Sequence, residues 1–159
     1  MRLKIATLLA ATAVLGACDN FFDQETMTCG QGGMNATCPT VPGTAADFVA
    51  CVGDRVFFGF DKSHVTDEGK QMLGKQAEWL NRYPNTTVTI EGHCDERGTS
   101  EYNMGLGQRR ADAAKKGLIQ MGVAASRVKS ISYGKERPIV HGNDESAWSQ
   151  NRVAITVVE

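Results

Sequence analysis

Charge of one sign is missing from this 159-residue chain: 17 lysines and arginines stand against 18 aspartates and glutamates, a formal net charge of −1. No basic excess points to nucleic acid, and no acidic run marks a disordered tail. Long hydrophobic runs are missing too. The apolar run 5–15 is too short to span a bilayer comfortably. His93, Cys94, Asp95 and His141 lack the spacing of a structural zinc site, so neither a metal nor any other cofactor is expected. Neither Cys94 nor His93 sits in a recognisable catalytic signature. Adjacent residues at a strand end point to opposite sides, so His93 is poorly placed to activate Cys94. A Cys/His wall hydrolase and a metal-binding domain are thus the two weaker readings. What the composition does contain, 42% hydrophobic residues, suits one soluble domain plus something at the N-terminus.

That N-terminal something reads as an export signal. Arg2 and Lys4 precede the apolar run, which ends in Leu15-Gly16-Ala17-Cys18. The last four residues resemble the lipobox of bacterial lipoproteins, which implies a signal peptide over 1–17 and a lipidated N-terminus at Cys18. Several acyl chains there would anchor the protein durably where one would not. Asp19 follows the cysteine, a placement associated in enteric bacteria with retention in the inner membrane. The location expected here is nonetheless the outer membrane, with the domain facing the periplasm. Residues 18–46 carry Gly30, Gly32, Gly33, Pro39 and Pro42 without apolar periodicity, and read as a flexible tether. Export to an oxidising compartment makes a small Cys29–Cys38 disulfide loop one option and free thiols the other.

The folded domain is expected over 47–159, organised around residues 87–111. Val88, Ile90 and Gly92 alternate with Thr87, Thr89 and Glu91, the period of a half-buried strand. A polar turn, 93–100, leads into a helix that Thr99 or Ser100 can cap. Its apolar stripe runs through Leu106, Ala113, Ala114, Leu118 and Met121, and Arg110 interrupts it on the side facing the sheet. A buried guanidinium needs an anionic partner, and Asp95 is the nearest in the chain path. The pair is complementary to a zwitterion carrying an ammonium and a carboxylate on one carbon, beside a helix N-terminus that also favours carboxylate. An internal Asp95–Arg110 salt bridge with no ligand is the competing reading.

The run G-H-C-D-E-R-G-T-S-E-Y-N (92–103), followed by L-G-Q-R-R-A (106–111), resembles the OmpA-like peptidoglycan-binding domain. F-F-G-F-D-K (57–62), S-Y-G-K-E-R-P (132–138) and W-S-Q-N-R (148–152) extend the likeness over the last two-thirds of the chain. The resemblance implies meso-diaminopimelate of the peptidoglycan stem peptide as ligand. Asp61 and Asp95 would hold its ammonium and Arg110 its carboxylate. Phe60, Gly92, His93, Cys94 and Leu106 would shape the walls, while Arg97 and Asn103 would order the loop or touch the peptide. The lipid-anchored members of the family further imply TolB and the other Tol proteins as partners, with a role in envelope integrity and cell division. Two positions depart from the family pattern. Cys94 stands where alanine or threonine is more usual. Asn151 precedes Arg152 where many members have a second arginine.

Around this centre, 47–52 and 55–60 read as the strands of a hairpin turning at Gly53-Asp54. Residues 67–82 read as a helix capped by Thr66 and stopped by Pro84, with Met72, Leu73, Ala77, Leu80 and Tyr83 inward and Trp79 at the edge. Gly122 ends the second helix, 128–133 is a strand, 134–150 a long polar loop and 152–158 the closing strand. The expected fold is an α/β sandwich, a mixed sheet with two helices on one face. A Cys51–Cys94 bond is not expected, since the two lie too far apart in that fold.

Overall fold

The computed structural model describes residues 40–159. The export signal, Cys18 and the tether as far as residue 39 lie outside the described residues. From Thr40 the chain is already packed. Thr44 caps a helical turn, α1 (Ala45–Asp47), that runs on as a π-helix over Phe48–Val52. Strand β1 (Arg55–Phe57) leads to α2 (Asp67–Arg82), β2 (Val88–His93) and α3 (Ser100–Gln120). After a short 3-10 turn come β3 (Val128–Gly134), α4 (Glu145–Asn151) and β4 (Val153–Val158). The sheet order is β1-β4-β2-β3. β4 runs antiparallel to both its neighbours, and β2 and β3 are parallel, joined by the crossover helix α3. No helix among the described residues is long and apolar enough to cross a membrane.

The helical signals of the sequence act as expected. Thr66 accepts from Gly69 N at 3.2 Å to start α2, and Thr99 accepts from Tyr102 N at 3.2 Å to start α3. Gly122, at φ +94°, follows α3. Leu73, Ala77 and Leu80 of α2 meet Ala111, Ala114 and Leu118 of α3 and Val56, Val88 and Ile90 of the sheet in one core. That stacks the helices against one face of the sheet.

Two segments depart from expectation. Residues 47–52 are helical, so no hairpin precedes β1, which pairs with β4 instead. The reason is Asp47, whose buried carboxylate accepts from Trp79 Nε1 at 2.8 Å and Gly43 N at 2.9 Å. Phe48 then enters the core edge-on to Trp79, with ring centroids 5.0 Å apart. Trp79 is accordingly buried, not at an edge. The second departure is α4, inside the segment read as loop. Asp144 caps it at 2.8 Å from Ala147 N, and Asn151 clasps Ile139 N, Val140 N and Val140 O at 2.7, 2.9 and 2.8 Å.

One close approach decides where α3 lies. A Cβ on Gly92 would sit 2.0 Å from the Gly107 carbonyl oxygen, and a Cβ on Gly107 would sit 2.3 Å from Ser132 Oγ. Only glycine admits backbone-to-backbone contact of this kind. It brings the first turns of α3 down onto the end of β2, and so brings Arg110 under the strand.

Candidate functional site

The turn after β1, the loop from β2 to α3 and the first turns of α3 enclose a cleft of about 190 Å³. Pockets for drug-sized molecules run to roughly 300–1,000 Å³, so this one suits a group the size of one amino-acid end. It is lined by Phe60, Asp61, Cys94, Asp95, Arg97, Asn103, Leu106 and Arg110, together with Gly98 and Tyr102.

Arg110 is 1% exposed, yet no acid pairs with it. Its Nε donates to Lys62 O at 2.9 Å, Nη1 to His93 O at 2.8 Å and Nη2 to Gly59 O at 3.2 Å. The guanidinium thus ties the 59–62 turn to the end of β2 through neutral carbonyls. Burial weakens its hold on the proton, but an arginine stays charged in a protein. The expected Asp95–Arg110 salt bridge is therefore not formed. Asp95 is engaged elsewhere: Oδ2 lies 2.7 Å from Arg97 Nη2 and 3.5 Å from Arg152 Nη1. Burial pushes the Asp95 carboxyl up, but hydrogen bonding and charge from Arg97, aided by Arg152, outweigh it and hold the group below the ordinary carboxylate value.

The side walls are built by stacking. The Arg97 guanidinium lies between the rings of Phe60 and Trp148, 4.1 Å from each centroid. Trp148 Nε1 donates to Glu96 Oε1 at 3.0 Å. On the same helix, Glu145 Oε1 accepts from Arg152 Nη2 at 2.5 Å, and Arg152 Nε donates to Phe58 O at 3.2 Å. Asn103 Nδ2 donates to Arg97 O at 2.8 Å and Thr99 O at 3.1 Å, fixing the loop from below. At the rim Asp61, with φ +54°, accepts a short hydrogen bond from the Tyr102 hydroxyl.

Two expected wall residues stand elsewhere. Gly92 faces α3 and serves the close approach to Gly107. The His93 side chain is absent from the cleft lining, because it follows Thr89 and Glu91 onto the sheet face away from the helices; only its carbonyl serves the site. The ring is buried, with Nδ1 3.0 Å from Arg137 O, Nε2 without a hydrogen bond, and Glu91 at 3.8 Å. Burial pushes the His93 imidazole below its ordinary 6.5, against the pull of Arg137 O and Glu91. The folded state then prefers the neutral ring. Stability from this source is complete above pH 6.5 and is lost as the pH falls through the lowered folded value. The urea midpoint is expected to drop between about pH 7.5 and about pH 5.5, and His93→Asn to flatten that slope. Equal slopes in the two proteins would remove His93 as the cause.

Reasoning from sequence missed Tyr102, Trp148, Glu145 and the place of Arg152. Tyr102 lies in the capped first turn of α3, a signal that was available. Trp148 and Glu145 ride on a helix too short to show periodicity. Cys94 is buried, with Sγ 3.4 Å from Asn103 O; burial pushes its thiol up, with Arg110 opposing, the reverse of an activated nucleophile. Among the described residues no group of three His, Cys, Asp or Glu is arranged to hold a metal ion. Cys51 is disulfide-bonded and Cys94 is free, so the partner of Cys51 lies outside the described residues.

Comparison with known proteins places this geometry. The OmpA family profile matches residues 57–152, from β1 to the end of the cleft. The peptidoglycan-associated lipoprotein of Agrobacterium fabrum is 50% identical over 129 residues, 81% of this chain and 73% of that protein. Its counterpart in Pasteurella multocida is 53% identical over 100 residues, 63% of this chain and 67% of that one. The crystal structure of the peptidoglycan-associated lipoprotein from Burkholderia pseudomallei superposes with a TM-score of 0.67 at 40% identity, over 69% of this chain and 92% of that one. The C-terminal domain of Helicobacter pylori MotB, at 19% identity and TM-score 0.63 over 67% of this chain and 84% of that one, shares the fold. The chain belongs to the OmpA family and, within it, to the peptidoglycan-associated lipoproteins.

Proposed function

We propose that this chain is an outer-membrane lipoprotein that binds peptidoglycan without covalent chemistry, gripping the free zwitterionic end of meso-diaminopimelate in the stem peptide. Cys18 carries the lipid, residues beyond it span the gap to the wall, and the cleft completes the link between membrane and wall. The observation that carries this reading is Arg110: a buried cation at the cleft whose hydrogen bonds all go to neutral carbonyls. A ligand carboxylate would supply the missing charge, and Asp61 and Asp95 would receive the ammonium beside it. The names of the relatives support peptidoglycan as the partner. TolB and the other Tol proteins are the protein partners proposed with it, in envelope integrity and cell division. A non-enzymatic role agrees with the protonated Cys94 thiol and with a His93 ring that cannot reach it.

The mature chain in detergent should co-sediment with purified diaminopimelate-type peptidoglycan and be displaced by soluble meso-diaminopimelate. Asp61→Asn should weaken binding roughly tenfold, the worth of one charge-assisted contact discounted for exposure at the rim. Sedimentation that excess diaminopimelate leaves unchanged would sink the assignment.

A further inference from the structure

The donor count at Arg110 goes beyond the choice of ligand to its chemical state. A guanidinium has five N–H donors and no acceptor. Three are used by Lys62 O, His93 O and Gly59 O, which leaves two, one on each terminal nitrogen. The side chain is 1% exposed and forms part of the cleft lining. No ion pair to it forms among the described residues, and the acid that stands closest along the chain, Asp95, is taken by Arg97 and Arg152.

We propose that Arg110 makes the cleft read the charge of the ligand's acid group, accepting an α-ammonium carboxylate and rejecting the same group as its primary carboxamide. This rests on the zwitterion reading above and specifies which stem peptides the protein can grip: those whose diaminopimelate end has not been amidated. A carboxylate offers two equivalent oxygens to the two remaining N–H groups and one negative charge to the buried cation. A carboxamide offers one oxygen and one NH₂. Whichever way it turns, one N–H of Arg110 meets a donor, and the guanidinium keeps its charge uncompensated. Rotating the ligand removes neither fault, because Arg110 is pinned by carbonyls on two separate segments. The other end of the ligand discriminates less, since Asp61 is exposed and water can replace a lost contact there.

Calorimetry on the full mature chain in detergent tests this with stem peptides in which diaminopimelate is internal, so that only its side-chain end is free. The free acid should bind. The primary carboxamide at that end, and a lysine analogue lacking the carboxylate, should each bind about 100-fold more weakly or worse, as when one partner of a desolvated charge pair is removed. An amide within about threefold of the acid, with the lysine analogue failing, would overturn the proposal and make the site a reader of shape. Equal binding by all three would overturn it as well. Failure of the free acid itself would instead strike the zwitterion reading on which it stands.

Discussion

Replacing Arg110 with alanine is expected to abolish wall binding. Removing one partner of a desolvated charged contact costs on the order of 2–5 kcal/mol, or roughly 30-fold to several thousand-fold in Kd. The variant loses something besides the ligand. Lys62 O, His93 O and Gly59 O lose their donor together, and each such hydrogen bond contributes about 1 kcal/mol to the fold. Arg110→Lys separates the two effects. An ammonium keeps the charge but has three donors at one point, so it cannot hold the 59–62 turn and the end of β2 while presenting a two-pronged face to a carboxylate. We expect the lysine variant to retain the circular dichroism of the parent, to unfold at a somewhat lower urea concentration and to lose at least tenfold in peptidoglycan binding. Parent-like sedimentation by a folded lysine variant would show that the carboxylate is held elsewhere.

Gly92→Ala is expected to damage the fold more than any other single methyl group here. Its Cβ would lie 2.0 Å from the Gly107 carbonyl oxygen, an atom of helix backbone that cannot rotate aside. Overpacking a core usually costs about 1–3 kcal/mol where side chains can yield. Here the whole of α3 must lift, so about 3 kcal/mol or more is expected, a fall of roughly 10–20 °C in Tm for a domain of this size. The effect reaches the cleft because Arg110 lies one turn beyond Gly107 on the same helix. Gly74 supplies the contrast: its Cβ would meet nothing within 4 Å, so Gly74→Ala should be neutral or stabilising by a few tenths of a kcal/mol. A Gly92→Ala protein as stable as the parent would show that α3 shifts without cost.

The long elements were legible because several signals agreed on them. Helix α2 runs Asp67–Arg82 as expected, since cap, apolar period and Pro84 mark the same limits. The failures fell where a local pattern was short. Residues 47–52 carry apolar side chains that suit either period, and a distant tryptophan decided the matter through Asp47. The seven residues of α4 bury little besides Ala147 and Asn151, too little for a face to show. At the cleft, the residue types were readable and their partners were not. Arg110 was matched with Asp95 by proximity along the chain, whereas it is held by backbone carbonyls, which every residue has and no sequence advertises. His93 was a different kind of miss: the alternation from Val88 through Gly92 already assigned it to the other face.

The stack of Phe60, Arg97 and Trp148 gives the protein an optical property. Of the two tryptophans, Trp79 is sealed in the core against Phe48, while the Trp148 indole lies 4.1 Å from a guanidinium that is itself paired with Asp95. Any ligand that draws on Asp95 shifts that cation and so changes the electric field across one indole and not the other. The chain thus carries an internal fluorescent standard for folding and, separately, a reporter at the mouth of its cleft, with no label attached.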